Sequence, residues 1–220
     1  LDFGTSLKYE GQSVNTIIAR SLPVSAAVGI LAYLLALVVG ITAGSIAALK
    51  QNSKWDYTSM ALAMLGISVP NFVLGPILVL IFGNGVAPKI IIAGLICFFP
   101  TLVNMVQGLR SASPAMLDLM RVLSASNSEI LWKVRLPSSL PFLFAALKIA
   151  ATSSVMGAIV AEWIGSSFGL GALIIEATYN FRSPLLYATV VIAALLAVIL
   201  FFIVSIAEAK MVRWKPAGQH

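Results

Sequence analysis

A chain of 220 residues that is 60% hydrophobic and only 10% charged is too apolar for a soluble domain, which carries about 25% charged and about 45–50% apolar residues. Its formal net charge of +6 would point to nucleic acid in a soluble protein, but in a chain this apolar it is read as the sidedness of positive charge around a bilayer, with no nucleic-acid partner. A single cysteine, Cys97, and a single histidine, His220, leave no material for an intrachain disulfide or a cysteine metal cluster and argue against histidine-based catalysis or metal binding.

The opening "LDFGTSLKYEGQSVNTIIARS" is polar and mixed, unlike a secretory signal, so residues 1–23 read as a lead-in outside the membrane. Five apolar runs follow: 24–48, then 57–82 with Pro70 and Pro76 inside, 88–108 broken by Pro100, 140–163, and 184–207. Each is long enough to cross a hydrocarbon core of about 30 Å, which takes about 20 helical residues. The runs are continuous rather than alternating, so helices are expected and a β-barrel is not. The fold class is an all-α integral membrane protein with about five transmembrane helices.

Five crossings put the termini on opposite sides. Lys50, Lys54, Arg110, Arg121, Lys133, Arg135, Lys210, Arg213 and Lys215 fall on one side, and Lys8, Arg20, Lys89 and Arg182 on the other. The richer side is expected to be cytoplasmic. Residues 109–139 are then a cytoplasmic loop between the third and fourth spans, with the N-terminus outside and the C-terminus in the cytoplasm.

That loop carries "MLDLMRVLSASNSEILWKVRLPSSLP", residues 116–141. Ser113-Pro114 is a sound helix start, with Ser as N-cap and Pro at the first helical position. "AMLDLMRVL" can run as a short helix that "SAS" interrupts. Ser126 and Glu129 have the spacing of a capping box for a second short helix. Glu129 and Lys133 stand in the favoured i, i+4 order, Ile130 and Val134 share a face, and Pro137 and Pro141 are expected to end the helix. The result is a helix–turn–helix knob, either docking to a partner or lying solvated on the headgroups.

These residues resemble the cytoplasmic-loop signature of binding-protein-dependent ABC importer permeases: E-A-A, three residues, G, nine residues, I-x-L-P. Asp118-Leu119-Met120 stand where E-A-A would, Ser124 stands for the Gly, and nine residues lead to Val134-Arg135-Leu136-Pro137. Asp118 keeps the charge, Leu119 and Met120 are bulkier than Ala, and Ser124 must make the turn without glycine's freedom at positive φ. The resemblance implies that the loop is a coupling helix seated in a groove of a separate ATPase, with Asp118, Leu119, Met120, Arg121, Ser124, Glu129, Ile130, Val134, Leu136 and Pro137 as coupling residues. It also implies a second permease subunit, identical or not, a solute-binding protein outside, ATP with Mg on the partner ATPase and no cofactor in this chain. The setting would be a bacterial or archaeal plasma membrane, and the chain a non-catalytic subunit. Residues 84–215 resemble the nitrate, sulfonate, taurine and pyrimidine-precursor branch, which implies a small polar solute. Residues 2–82, with "ALKQNSKWDYTSMALAM", resemble the dipeptide and oligopeptide branch, which makes peptide the alternative.

"GSSFGLG", 165–171, is glycine-rich but lacks the Gly-Lys-Ser/Thr ending of a phosphate loop. It reads as an outer turn beside the binding protein or as a tight turn re-entering the membrane surface. Glu162 ends the fourth span and serves either gating or packing. Asn71, Asn104, Gln107, Thr152, Ser153 and Ser154 either line a pathway or bond helix to helix. Ala150, Ser154 and Ala158, with Ser153, Gly157 and Ala161, give spacings of four small residues for close helix packing, inside one subunit or at a dimer face. A secondary carrier would show paired intramembrane charges or inverted repeats; the spans hold only Lys148 and Glu162, near their ends.

Overall fold

A computed structural model describes residues 13–50, 52–68 and 70–212. It consists of α1 (Val14–Leu49), α2 (Lys54–Ser68), α3 (Asn71–Phe82), α4 (Val86–Arg110), α5 (Pro114–Val122), α6 (Asn127–Ile130), a π turn (Leu131–Arg135), α7 (Leu136–Glu162), α8 (Leu170–Tyr179) and α9 (Ser183–Met211). Among the described residues, four stretches are long and apolar enough to cross a membrane: α1, α4, the rod from Asn127 to Glu162, and α9.

Helix α1 begins at Val14, well before the expected span at 24, and runs through Pro23. The Ser13 hydroxyl accepts a hydrogen bond from the Thr16 N–H and caps it. Its buried positions, Val14, Ile18, Ser21, Ser25, Val28, Ala32, Ala36, Gly40, Gly44 and Ala47, recur at three- and four-residue intervals, which is one face of a helix. That face meets α4 in parallel: Cβ atoms placed on Gly40 and Gly44 would lie 2.8 Å from Thr101 Cγ2 and 2.9 Å from the Leu102 carbonyl oxygen. Lipid offers no hydrophobic drive between apolar helices, so such backbone approach is what holds them.

Helix α7 runs antiparallel to both. Gly108 of α4 sits against Phe142 and Ser139, Gly157 of α7 against Ala93, and Gly29 of α1 against Ser154 and Ala158. The small-residue stripe therefore packs within this subunit. Pro100, expected to break the third span, is accommodated inside α4.

The run 57–82, expected as one helix, is two. Pro70 has ψ of 135° and stands as the N-cap of α3; it offers no N–H, and a proline biases the residue before it away from helix. Since α1 and α4 are parallel, the chain between them must return along the bundle, and it does. Arg110 Nη2 at the end of α4 donates to Asp56 Oδ2 of α2 at 2.9 Å, while Gly75 of α3 touches Ile164 beyond the far end of α7.

Pro137 and Pro141 do not end a short helix as expected. Helix α6, the π turn and α7 form one rod. The turn before Pro137 widens, and the Leu136 N–H donates to the Leu131 carbonyl, five residues back. This makes room where a proline ring would otherwise meet the preceding turn.

Candidate functional site

The two ends of the bundle carry different chemistry. At the end where α1 and α4 finish stands the knob. Ser113 and Pro114 start α5 as the N-cap and first helical residue, though no side-chain bond caps it. The helix closes with the Ala125 N–H donating to the Met120 carbonyl at 3.0 Å and the Ser124 N–H donating to Arg121 at 2.9 Å, a Schellman pair. Ser124 takes φ of +55°, so serine occupies the left-handed position where the signature has glycine. The Ser126–Glu129 capping box is formed on both sides, and Lys133 Nζ donates to Glu129 Oε1 at 3.0 Å. Those bonds, the backbone N–H of Ser126 first among them, lower the Glu129 carboxyl to a pKa of about 2.

No residue of α5 is buried. Met116, Leu119, Val122 and Leu123 are exposed along one side of it, with Leu119 53% and Val122 81% accessible. Asp118 is tied to Arg121 of the same helix at 2.9 Å. Met120, Ile130 and Leu136 are half-buried, as is Pro137, and Val134 is buried beneath the knob. Below, Arg110 holds the α1–α2 turn: it bridges Asp56 and donates to the Ala47 carbonyl at 3.3 Å, while the Asn52 N–H donates to the same Asp56 carboxylate at 3.0 Å. Sequence reasoning missed this strut, because Asp56 and Arg110 are distant in the chain.

At the other end Glu162 is buried, 1% exposed. The Ser25 hydroxyl donates to Glu162 Oε1 at 2.6 Å and accepts from the Leu170 N–H at 2.7 Å, and the Gly171 N–H donates to Glu162 Oε2 at 2.7 Å. The carboxylate thus faces the first turn of α8, where backbone N–H groups lack helical partners and negative charge is favoured. Gly169, φ +126°, leaves the space its carboxylate fills. The glycine-rich stretch is therefore the entry to a helix that sequence reading took for a loop. The apolar spacing of Leu170, Leu173 and Ala177, which pack on Val14, Ile18, Leu185 and Ala188, was the missed signal.

The other pathway candidates are scattered. Ser154 is buried and donates to the Ala151 carbonyl, Asn104 donates to the Pro100 carbonyl, Thr152 donates to its own helix, Gln107 is exposed and Ser153 half-buried. The side chain of Asn71 lies outside the described residues. Lys148 is paired: its Nζ donates to Glu208 Oε2 of α9 at 2.7 Å, a partner just past the fifth apolar run.

The description "binding-protein-dependent transport system inner membrane component" matches residues 40–213. A probable ABC transporter permease protein of Haemophilus influenzae is 38% identical over 170 residues, covering 76% of this chain and 69% of its own length. The oligopeptide transport system permease OppB of Escherichia coli K12 is 35% identical over 220 residues, covering 88% of this chain and 69% of its own. In fold the chain is similar to a subunit of the inward-facing MetNI methionine ABC transporter, with a TM-score of 0.74 at 21% identity over 90% of this chain and 95% of that one. With its spans, its knob and these likenesses, the chain belongs to the family of binding-protein-dependent inner-membrane permease components of ABC transporters.

Proposed function

We propose that this chain is a non-catalytic permease subunit that couples a separate ATPase to solute import, with α5 and the start of the α6–α7 rod as the coupling element. The observation that carries the reading is the knob: a helix with no buried residue and an exposed apolar side, closed by a Schellman turn that leads straight into the capping box at the start of the rod. A solvated loop would gain nothing from presenting Leu119, Val122 and Leu123 to water. Asp118, Leu119, Met120 and Ser124 meet the ATPase groove, Arg121 holds the Asp118 carboxylate in place from the same helix, and Glu129, Ile130, Val134, Leu136 and Pro137 fix the knob to the rod. ATP with Mg belongs to the ATPase; a second permease subunit completes the pathway, and a binding protein delivers solute at the Glu162 end.

The paired helices α2 and α3 act as one crossing, which gives five and puts the N-terminus outside and the C-terminus in the cytoplasm. The return of the chain between parallel α1 and α4 supports this, as does the concentration of Lys and Arg at the knob end. Asn104, Gln107, Ser153 and Asn71 are the remaining candidates for the pathway, while Glu162 serves the outer end by holding α8. For the solute, the resemblance of residues 84–215 supports a small polar molecule of the nitrate, sulfonate, taurine or pyrimidine-precursor type. A second reading, peptide, is favoured by the match of oligopeptide permeases over 88% of the chain.

The test is co-purification with the cognate ATPase and uptake of labelled taurine and of a labelled dipeptide by vesicles holding the full complex. Ser124→Val and Asp118→Lys are expected to reduce ATPase retention and uptake together while membrane levels hold. Unchanged retention and uptake in both variants would make the knob a solvated loop. Dipeptide uptake alone would decide for peptide.

A further inference from the structure

Behind the knob, on the side of α5 opposite its exposed apolar residues, lies a cleft of about 450 Å³ between α5, the start of the rod and the last residue of α1. Its polar rim is Arg121, Arg135, Asn127 and Ser128; its floor includes Leu49 and Leu117. On α5, Leu117 and Arg121 are one turn apart and point into the cleft, whereas Met116, Leu119 and Leu123 share the other side. An ATPase reaching the outer side of the knob therefore does not fill it.

The charges around the cleft are unevenly used. Arg110 is paired with Asp56, Arg121 with Asp118 and Lys133 with Glu129, and Lys50 lies over the Trp55 ring at 5.3 Å. Among the described residues Arg135, half-buried on the π turn, has neither an ion pair nor a side-chain hydrogen bond. A guanidinium held at a cleft rim without a counter-ion favours an anion, and its planar fork suits phosphate oxygens. The apolar floor asks for a hydrocarbon body behind that anion. Leu49 ends a membrane-crossing helix, and Trp55, Tyr57 and Trp132 are exposed at the same end of the bundle, where aromatic rings mark the headgroup level. Acidic lipid headgroups are attracted to basic clefts at that level.

We propose that this cleft is a binding site for an anionic phospholipid, its phosphate on Arg135 and the upper part of an acyl chain along Leu49 and Leu117. The lipid wedges between knob and bundle, so the position of the coupling element depends on the acidic lipid of the surrounding leaflet. The proposal stands apart from the identity of the transported solute and from ATPase docking.

The experiment uses the purified full chain in nanodiscs of phosphatidylcholine with increasing phosphatidylglycerol, reading retained lipid by native mass spectrometry after transfer to detergent. The expected result is selective retention of phosphatidylglycerol, reduced about tenfold by Arg135→Gln, largely restored by Arg135→Lys and unaffected by Lys210→Gln, a cation at the same end outside the cleft. Inorganic phosphate at tens of millimolar is not expected to displace the lipid. Equal retention of both lipids, or retention of phosphatidylglycerol unchanged by Arg135→Gln, overturns the proposal. Full displacement by inorganic phosphate also overturns it, in favour of a site for a free anion.

Discussion

The two ends of the bundle treat a carboxylate in opposite ways. At the knob, Asp118 and Glu129 are paired within their own helical turns and stay in water, with side chains 69% and 46% exposed. At the far end Glu162 is sealed in and bonded to two other elements. Pairs of the first kind are screened by water and contribute little to stability; they shape a surface without committing it. A bond of the second kind, to a buried charge, is worth about 1.5–3 kcal/mol and welds α1, α7 and α8 together. One end leaves its carboxylates on an open surface, and the other seals its carboxylate inside.

The contrast is tested most severely at Gly169. A valine there would meet the Glu162 carboxylate and would have to adopt φ of +126°; overpacking and backbone strain together are expected to cost about 3 kcal/mol. Denaturation of the purified protein in mixed detergent micelles would read this as a lower midpoint, with α8 released first in hydrogen exchange. Glu162→Gln is the milder break. It keeps one acceptor, presents an NH₂ to one of the two donors, and is expected to cost about 1–3 kcal/mol, again near α8 and with ATPase binding intact. An equal loss of ATPase binding would mean that the two ends are not independent.

At the knob the expected effects are smaller on stability and, under the proposed coupling role, larger on ATPase retention. Ser124→Gly relieves a left-handed serine and is expected to stabilise the turn by up to about 1 kcal/mol, while Ser124→Val costs about 1–2 kcal/mol. Neither is expected to move the global melting midpoint as Gly169→Val does, because α5 buries nothing. The smallest effect is that of pH on the capping box. The Glu129 pKa is lowered from 4.5 to about 2, so its contribution is complete above about pH 4.5 and is lost as pH falls toward 2. Carbon-detected NMR titration of a labelled Glu129 carboxyl checks it; an ordinary midpoint near 4.5 would mean that the box is open in solution.

Much of this was legible in the sequence. Four of the five expected spans follow from apolar runs, while the run 57–82 folds as two helices, and the knob follows from capping residues and the spacing of Asp118, Ser124 and Leu136-Pro137. What escaped reading were features that depend on distant partners. The Asp56–Arg110 strut and the Lys148–Glu208 pair join residues far apart in the chain, and no local pattern names the partner. Helix α8 is short, and its glycine-rich entry reads as a loop until Glu162 is seen to occupy the space a side chain would take. Prolines misled in both directions: Pro70, read as lying inside one span, divides it, whereas Pro100 and Pro141, expected to break or end a helix, lie inside helices. Local preference disfavours all of them, and helix–helix packing in the bundle overrides it for some.

The widened turn at Leu131–Arg135 has a consequence for how this chain can change by insertion and deletion. A π turn holds about one residue more than an α turn in nearly the same rise and one full revolution. Loss of a single codon between 131 and 135 is therefore expected to convert it to an ordinary α turn, with the length of the rod and the direction of the knob around it nearly unchanged. What that deletion removes is the room the widened turn gives the Pro137 ring. A second deletion beside it would find no spare residue and is expected to swing the knob by about 100° around the rod.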